Sequence, residues 1–144
     1  MTEMIDLARV GAQDVVYDLG CGDGRIVIAA ARLRGARGVC VDIDPQRIRE
    51  SEAAAARAGV TGRIVFLNQD LFATELAGAT VVTLFLSAEV NRKLRAKLAR
   101  ELTPGTRVIS YVHDIRDWPP AEVRTVQGVR GPRKLYLWVI DGRR

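Results

Sequence analysis

The chain has 144 residues and a formal net charge of +5, from 22 lysines and arginines against 17 acidic residues. This length supports one hydrophobic core, so we expect a single domain over 1–144. The longest apolar run, residues 79–86, is far shorter than the roughly 20 residues that cross a bilayer, which argues against a membrane span. The first residues lack the basic and apolar regions of an export signal, so we expect a cytoplasmic protein.

Segments with strand and helix patterns alternate along the chain. In chain order they predict helix 2–9, strand 15–19, helix 24–34, strand 38–42, helix 45–58, strand 63–67, strand 79–86, helix 88–101 and strand 106–112. Two further strands, 123–129 and 135–140, are predicted to form a hairpin with a turn through Gly131-Pro132. This alternation predicts an α/β fold in which helices cover both faces of a parallel sheet.

A glycine-rich turn joins the first predicted strand to the helix that follows, with glycines at 20, 22 and 24. Glycines let backbone N–H groups approach a bound molecule closely. The turn lacks the Lys-Ser or Lys-Thr of a nucleotide P-loop, and Arg25 stands where a dinucleotide fingerprint needs its third glycine. Asp18, at the mouth of the turn, suits a ligand with positive charge, such as the sulfonium and α-ammonium of S-adenosylmethionine. A turn that binds no ligand is the alternative.

Acidic residues also follow the second predicted strand. Asp42 ends strand 38–42, where nucleotide-binding α/β folds place an acid that accepts hydrogen bonds from ribose hydroxyls. Ile43 beside it offers an apolar surface to an adenine ring. Asp44 precedes Pro45 and is better explained as the N-cap of helix 45–58. Asp42 is therefore the acid that we predict to bind the ligand.

A third acid, Asp70, lies in the loop after strand 63–67. Its carboxylate could accept a hydrogen bond from the exocyclic amine of adenine. A lone aspartate in such a loop is more often a turn or capping residue. Asp70, like Asp18 and Asp42, lies at the carboxyl end of a predicted strand, which favours the ligand role.

Together, Asp18-x-Gly20-x-Gly22-x-Gly24, Val41-Asp42 and Asp70 resemble the motifs of class I S-adenosylmethionine-dependent methyltransferases. The segment 102–109 is similar to the turn before the fifth strand of that family, and the resemblance covers nearly the whole chain. It implies a Rossmann-like, seven-stranded, mostly parallel sheet with a C-terminal antiparallel hairpin. The cofactor-binding residues predicted on this basis are Asp18, Gly20, Cys21, Gly22, Gly24, Asp42, Ile43, Asp70, Leu71 and Leu86.

A narrower resemblance concerns residues 17–27, from Tyr17-Asp18-Leu19 to Ile26-Val27. This segment is similar to a protein-lysine methyltransferase group that includes archaeal broad-specificity enzymes and mitochondrial ATP-synthase c-subunit methyltransferases. Members usually carry an upstream segment with Tyr and Pro that helps to cover the cofactor. Only one predicted helix precedes the first strand here, so we expect this lid to be missing. A cofactor-binding module with weak or no catalysis therefore stays an alternative.

Two residues are candidates for the catalytic base. Glu89 follows the fourth parallel strand, although a first-turn acid also stabilises a helix dipole. His113 is the only histidine and could act as a base or proton shuttle, although it could equally be a surface residue. Two segments are candidates for substrate handling, 86–91 and 110–114, although Ser87 in the first has the alternative role of N-cap for helix 88–101.

The acceptor favoured by the resemblance is a protein lysine, with RNA or a small molecule as the alternative. The Asn/Asp-Pro-Pro-aromatic motif of many DNA, RNA and glutamine amine methyltransferases is absent after strand 79–86, which argues against a nucleobase amine. The net positive charge keeps a nucleic-acid partner open, although few aromatic residues accompany the basic ones. The densest basic residues lie at the C-terminal end: Arg130, Arg133, Lys134, Arg143 and Arg144.

The two cysteines, Cys21 and Cys40, could lie near each other. In a cytosolic enzyme we expect them to be reduced thiols. With one histidine and no Cys-x-x-Cys spacing, the sequence gives no support for a metal site.

Overall fold

Seven strands form one sheet in the computed structural model, which describes residues 2–142. In chain order the elements are α1 (Thr2–Leu7), β1 (Val15–Leu19), α2 (Arg25–Arg34), β2 (Arg37–Asp42), α3 (Pro45–Ala58), β3 (Ile64–Asn68), β4 (Val81–Leu84), α4 (Ala88–Glu101), β5 (Arg107–Tyr111), β6 (Glu122–Gly128) and β7 (Gly131–Val139). The spatial order is β3-β2-β1-β4-β5-β7-β6. Strands β1 to β5 run parallel, and β7 is antiparallel to both of its neighbours. The predicted α/β class with a C-terminal antiparallel hairpin is confirmed.

Two hydrophobic cores lie on opposite faces of this sheet. On one face α1, α2 and α3 bury apolar side chains such as Ile5, Val27 and Ile48. On the other face α4 buries Leu94 and Leu98 in a core that also contains leucines and valines of the sheet. Helices therefore cover both faces, as the alternating sequence pattern predicted.

Polar side chains begin two of the helices where the sequence predicted caps. Asp44 accepts a hydrogen bond from the backbone N–H of Gln46 at 2.9 Å, and Pro45 occupies the first position of α3. Ser87 accepts from the backbone N–H of Val90 at 3.2 Å and so caps α4. Both bonds satisfy N–H groups that a helix cannot satisfy internally.

The C-terminal hairpin differs from its predicted form. Its turn is formed by residues 129–130, and Gly131-Pro132 already belong to β7, where Pro132 lies opposite Gln127 of β6. Strand β7 pairs with β5 only over Leu135–Val139, so Pro132 lies beyond the end of β5. A proline fits there because its missing N–H is not needed by a second neighbouring strand.

The expectation of reduced thiols was wrong, since a disulfide joins Cys21 and Cys40. The backbone N–H groups of Gly20 and Cys21 both donate to the carbonyl of Val41, at 2.8 and 2.9 Å. These bonds hold the glycine turn against β2 and leave the two cysteine Cα atoms 5.3 Å apart, a separation that a disulfide spans readily. The bridge thus ties the turn covalently to β2.

Reduction of this disulfide is expected to lower the free energy of unfolding by about 2–4 kcal/mol, because a cross-link restricts the unfolded chain. Urea denaturation of the oxidised and reduced protein measures the difference. Cys40→Ala is the control, since adding a reductant to that variant should leave its midpoint unchanged. Equal midpoints for the oxidised and reduced wild type would contradict the expectation.

Within residues 2–142, no helix combines the length and the apolar content that crossing a membrane requires. Of the basic residues predicted at the C-terminal end, Arg130 lies in the hairpin turn, and Arg133 and Lys134 lie in β7. Arg143 and Arg144 lie outside the described residues.

Candidate functional site

A cavity of about 320 Å³ opens at the carboxyl ends of β1 and β4, beside the glycine turn. Open α/β sheets bind their ligands at this edge. A wider groove of about 610 Å³ between α2 and α3 adjoins it, but its lining lacks Asp18, and Asp42 and Asp70 line neither cavity. The smaller cavity is lined by Asp18, Gly20, Cys21, Gly22, Asp23, Arg25, Ile26, Arg47 and Phe85.

Two glycines of the turn allow close packing in a left-handed conformation. Gly20 has a φ of +78°, and a Cβ atom on it would lie 2.8 Å from Cδ2 of Leu86. Gly24 has a φ of +81°, and a Cβ atom there would lie 2.8 Å from Cβ of Ser51 on α3. Gly20 therefore brings the predicted residue Leu86 onto the turn. Gly24 lies outside the cavity lining and lets the start of α2 approach α3.

Gly24→Ala is expected to lower the free energy of unfolding by about 2–4 kcal/mol, through backbone strain and the clash with Ser51. Gly22→Ala is the matched control. Gly22 also has a positive φ, +59°, but a Cβ atom there meets nothing within 4 Å. We expect it to cost only the backbone strain, about 1 kcal/mol. Chemical denaturation of both variants checks this, and equal losses would contradict the packing role of Gly24.

Asp18 faces this cavity from the end of β1 and is only 1% exposed. Its Oδ1 atom has no hydrogen-bond partner among residues 2–142. Burial raises the pKa of the Asp18 carboxyl to about 7; Thr83 opposes this rise, while the nearby charges of Asp42 and Asp23 add to it. The cavity therefore contains a carboxyl group that would be stabilised as a carboxylate by a cation.

The Asp42 carboxylate links the glycine turn after β1 to the residue that precedes α3. Its Oδ2 accepts from the backbone N–H of Gly22 at 2.9 Å, and its Oδ1 accepts from the backbone N–H of Asp44 at 3.0 Å. Each carboxylate oxygen has a second lone pair for another donor. The Asn68 amide donates to the carbonyls of Asp42 and Ile43, both at 3.0 Å. Ile43 is 70% exposed, so its apolar side chain is accessible beside this carboxylate.

Asp70 and Leu71 lie after β3 and outside the lining of the 320 Å³ cavity. Asp70 Oδ1 accepts from the backbone N–H of Phe72 at 2.9 Å and caps a short 3₁₀ helix, Leu71–Ala73. Leu71 is partly buried against the core beneath α4. The capping role considered for Asp70 is present in the structure, and its contact with adenine stays a prediction.

The two candidate bases occupy different surroundings. Glu89 is exposed in the first turn of α4, and one of its carboxylate oxygens lies 3.6 Å from Nζ of Lys93. His113 lines a second cavity of about 280 Å³, whose lining does not include Glu89. That cavity is formed by Phe85, Leu86, Ser87, Tyr111, Val112 and His113.

Phe85 lines both cavities, and the sequence did not identify it as a site residue. Its ring is stacked on that of Tyr111, with centroids 4.4 Å apart and planes 12° from parallel. The predicted strand 79–86 placed Phe85 inside a buried element, whereas β4 ends at Leu84 and Phe85 is 49% exposed. The sequence did offer one signal for Phe85, because it is an aromatic residue next to Leu86, which is a predicted site residue.

Comparison with known proteins gives a consistent set of relatives. A model of the ANTKMT methyltransferase domain matches residues 18–122. A protein-lysine N-methyltransferase of Saccharolobus islandicus is 46% identical over 138 residues, which cover 95% of this chain and 86% of that protein. An adenine nucleotide translocase lysine N-methyltransferase of Mus musculus is 35% identical over 115 residues, or 78% of this chain. This match spans only 49% of the mouse protein.

A similar solved structure is that of an RNA methyltransferase from Salinibacter ruber in complex with S-adenosyl-L-homocysteine. It has a TM-score of 0.92 and 45% sequence identity, and the match covers 99% of this chain and 91% of that one. The similarity extends over the glycine turn and both cavities, because these lie within the matched region.

Proposed function

The chain belongs to the ANTKMT methyltransferase family and is an S-adenosylmethionine-dependent methyltransferase, and we propose that it methylates the side-chain amine of a protein lysine. The observation that carries the proposal is the 46% identity to a protein-lysine N-methyltransferase across 86% of its length. The mouse relative, which also is named for lysine methylation, supports the same acceptor. Because the match covers only 49% of the mouse protein, we do not extend the substrate of that protein to this chain.

The glycine turn and its carboxylates fit S-adenosylmethionine. Asp18 offers an unpartnered buried oxygen to a cation, and Gly22 adds no side chain to the cavity beside it. When bound, the cofactor supplies an electrophilic methyl group. We assign its α-ammonium to Asp18 and its ribose hydroxyls to Asp42, with adenine between Ile43 and Asp70. The other residues proposed to hold it are Cys21, Gly24, Leu71 and Leu86.

The second cavity suits the approach of an amine. A lysine side chain has an unperturbed pKa of about 10.4, so it must lose a proton before its lone pair can attack. An apolar lining disfavours the charged ammonium and so favours the neutral amine. His113 lines this cavity and is the better placed proposed base, because Glu89 points to Lys93 on the solvent side of α4. Exclusion of water and orientation of the amine supply most of the remaining catalysis.

RNA is the second candidate acceptor, because the Salinibacter ruber protein is described as an RNA methyltransferase and is 45% identical to this chain. The basic residues at the hairpin tip are compatible with a phosphate backbone. The sequence has few aromatic residues among them of the kind that stack unpaired bases.

Incubating the protein with methyl-labelled S-adenosylmethionine and a cell lysate tests the acceptor directly. We expect label in the protease-sensitive fraction, recovered as methyl-lysine after acid hydrolysis. Label that is removed by ribonuclease would instead establish the RNA acceptor. Cofactor binding without release of S-adenosylhomocysteine in any fraction would establish a binding module. Asp42→Ala, assayed in parallel, controls for contaminating enzymes.

A further inference from the structure

The chain leaves β5 through a strained three-residue turn. The backbone N–H of His113 donates to the carbonyl of Tyr111, two residues earlier, at 2.8 Å. Val112, between them, has a φ of +71°. This is a γ-turn of the rare form, and a β-branched residue is a clear outlier in this region of φ. Such backbone strain persists only where surrounding contacts hold it.

A buried amide supplies those contacts. Asn91, in α4, is fully buried, and its Nδ2 donates to Oγ of Ser110 and to the carbonyl of His113, both at 3.1 Å. The Ser110 hydroxyl donates to the same carbonyl at 2.5 Å. From the other side, the backbone N–H of Val112 donates to the carbonyl of Lys134 at 2.7 Å. The turn is therefore fixed between α4 and β7.

This turn sets the position of an aromatic pair. Tyr111 is its first residue, and the Tyr111 ring lies parallel to that of Phe85 at the end of β4. Both rings line the second cavity, and only Phe85 also lines the cavity beside the glycine turn. A lysine arrives as an ammonium, which an aromatic face attracts, and the apolar atoms around that face pack against the methylenes. Loss of the proton then leaves the neutral amine that reacts.

We propose that Phe85 and Tyr111 form the wall that receives the acceptor lysine, and that Asn91 is a positioning residue that holds this wall through the turn after β5. The inference rests on the proposed lysine acceptor and adds the residues that select it. The aromatic pair holds the side chain beside the methyl donor, and Asn91 acts without touching the acceptor.

Tyr111→Leu and Tyr111→Phe test the wall, with bulk lysate protein as the probe and methyl-lysine formation as the rate. Tyr111→Leu removes the ring, so the apparent KM for lysate protein should rise by about tenfold. Tyr111→Phe keeps the ring and should stay within about twofold of the wild type. The Kd for S-adenosyl-L-homocysteine should be unchanged in both, because Tyr111 lies outside the first cavity. Equal KM values for the two variants would overturn the proposal.

Asn91→Leu and Ser110→Ala test the positioning role. Asn91→Leu removes buried donors and could prevent folding, whereas Ser110→Ala removes one hydroxyl and keeps the Asn91 bond to His113. In either variant that folds by circular dichroism, the apparent KM for lysate protein should rise while the Kd for S-adenosyl-L-homocysteine stays constant. A wild-type KM in folded Ser110→Ala would refute the role of this network. A wild type that labels RNA and no lysine would refute the proposed function itself, and the wall with it.

Discussion

Binding of S-adenosyl-L-homocysteine is expected to tighten by up to about tenfold per pH unit from pH 5 to 7 and to level off above pH 7. Burial raises the pKa of Asp18 to about 7, so the free protein holds a proton on this carboxyl at lower pH. The proposed partner, the α-ammonium of the ligand, requires the carboxylate and itself stays protonated from pH 5 to 7. Binding below pH 7 therefore releases the proton of Asp18.

Isothermal titration calorimetry in buffers of different ionisation enthalpy measures both the Kd and the released proton. Asp18→Asn is the control, because an amide cannot release a proton in this range and should bind more weakly without the pH dependence. A wild-type Kd that stays flat from pH 5 to 7 would exclude Asp18 as the ammonium partner.

The same carboxyl links stability to pH in the ligand-free protein. Its folded pKa lies above its unfolded value, so its contribution to stability is greatest below the unfolded pKa of about 3.8 and is lost as the pH rises to about 7. Asp18→Asn should therefore gain stability over the wild type progressively between pH 4 and 7, with a constant advantage above pH 7. Thermal unfolding across this pH range reports the difference.

Asp42→Ala is expected to weaken cofactor binding by roughly 1–3 kcal/mol, or about 5- to 150-fold in Kd. The substitution removes the proposed acceptor for the ribose hydroxyls. It also removes the two bonds that hold the N–H groups of Gly22 and Asp44, and so loosens the glycine turn. Titration calorimetry with S-adenosyl-L-homocysteine gives the change in Kd.

Asp44→Ala is the matched control for Asp42, since it removes the neighbouring acid. Asp44 caps α3, so its loss should cost about 1 kcal/mol of stability and leave the Kd unchanged. An unchanged Kd in Asp42→Ala, or a similar loss in both variants, would reject the assignment of ribose to Asp42.

The helices and the parallel strands were predictable because local signals and the fold agree. The bounds of α3 agree with the predicted helix 45–58. Asp44 and Pro45 favour the start of a helix, and the left-handed Gly59 ends it. The C-terminal turn was predicted too far along the chain, because Gly131-Pro132 taken alone is a strong turn signal. Only the sheet shows that β5 ends before it reaches Pro132, which makes a proline acceptable in a strand.

The candidate site was predictable where it depends on one strand end and its turn. Asp18, Gly20, Cys21 and Gly22 follow one another in the chain, and all four line one cavity. Leu86 and His113, both predicted as site residues, also line the second cavity. The stacked pair in that cavity was not predictable, because Phe85 follows β4, Tyr111 ends β5 and the two rings meet only in the folded sheet. The disulfide was missed for a similar reason. Cys21 and Cys40 come together only because the turn after β1 is hydrogen-bonded to β2.

The sheet order also limits when the chain can finish folding during translation. β6 is synthesised before β7 but pairs with β7 alone, and β7 inserts between β5 and β6. A nascent chain that stops before Gly131 therefore exposes the edge of β5 and leaves β6 without a partner, which invites association with other chains. β7 must leave the ribosome before it can accept the hydrogen bond from Val112 that braces the wall beside Tyr111, so methyl transfer should require β7 to be synthesised.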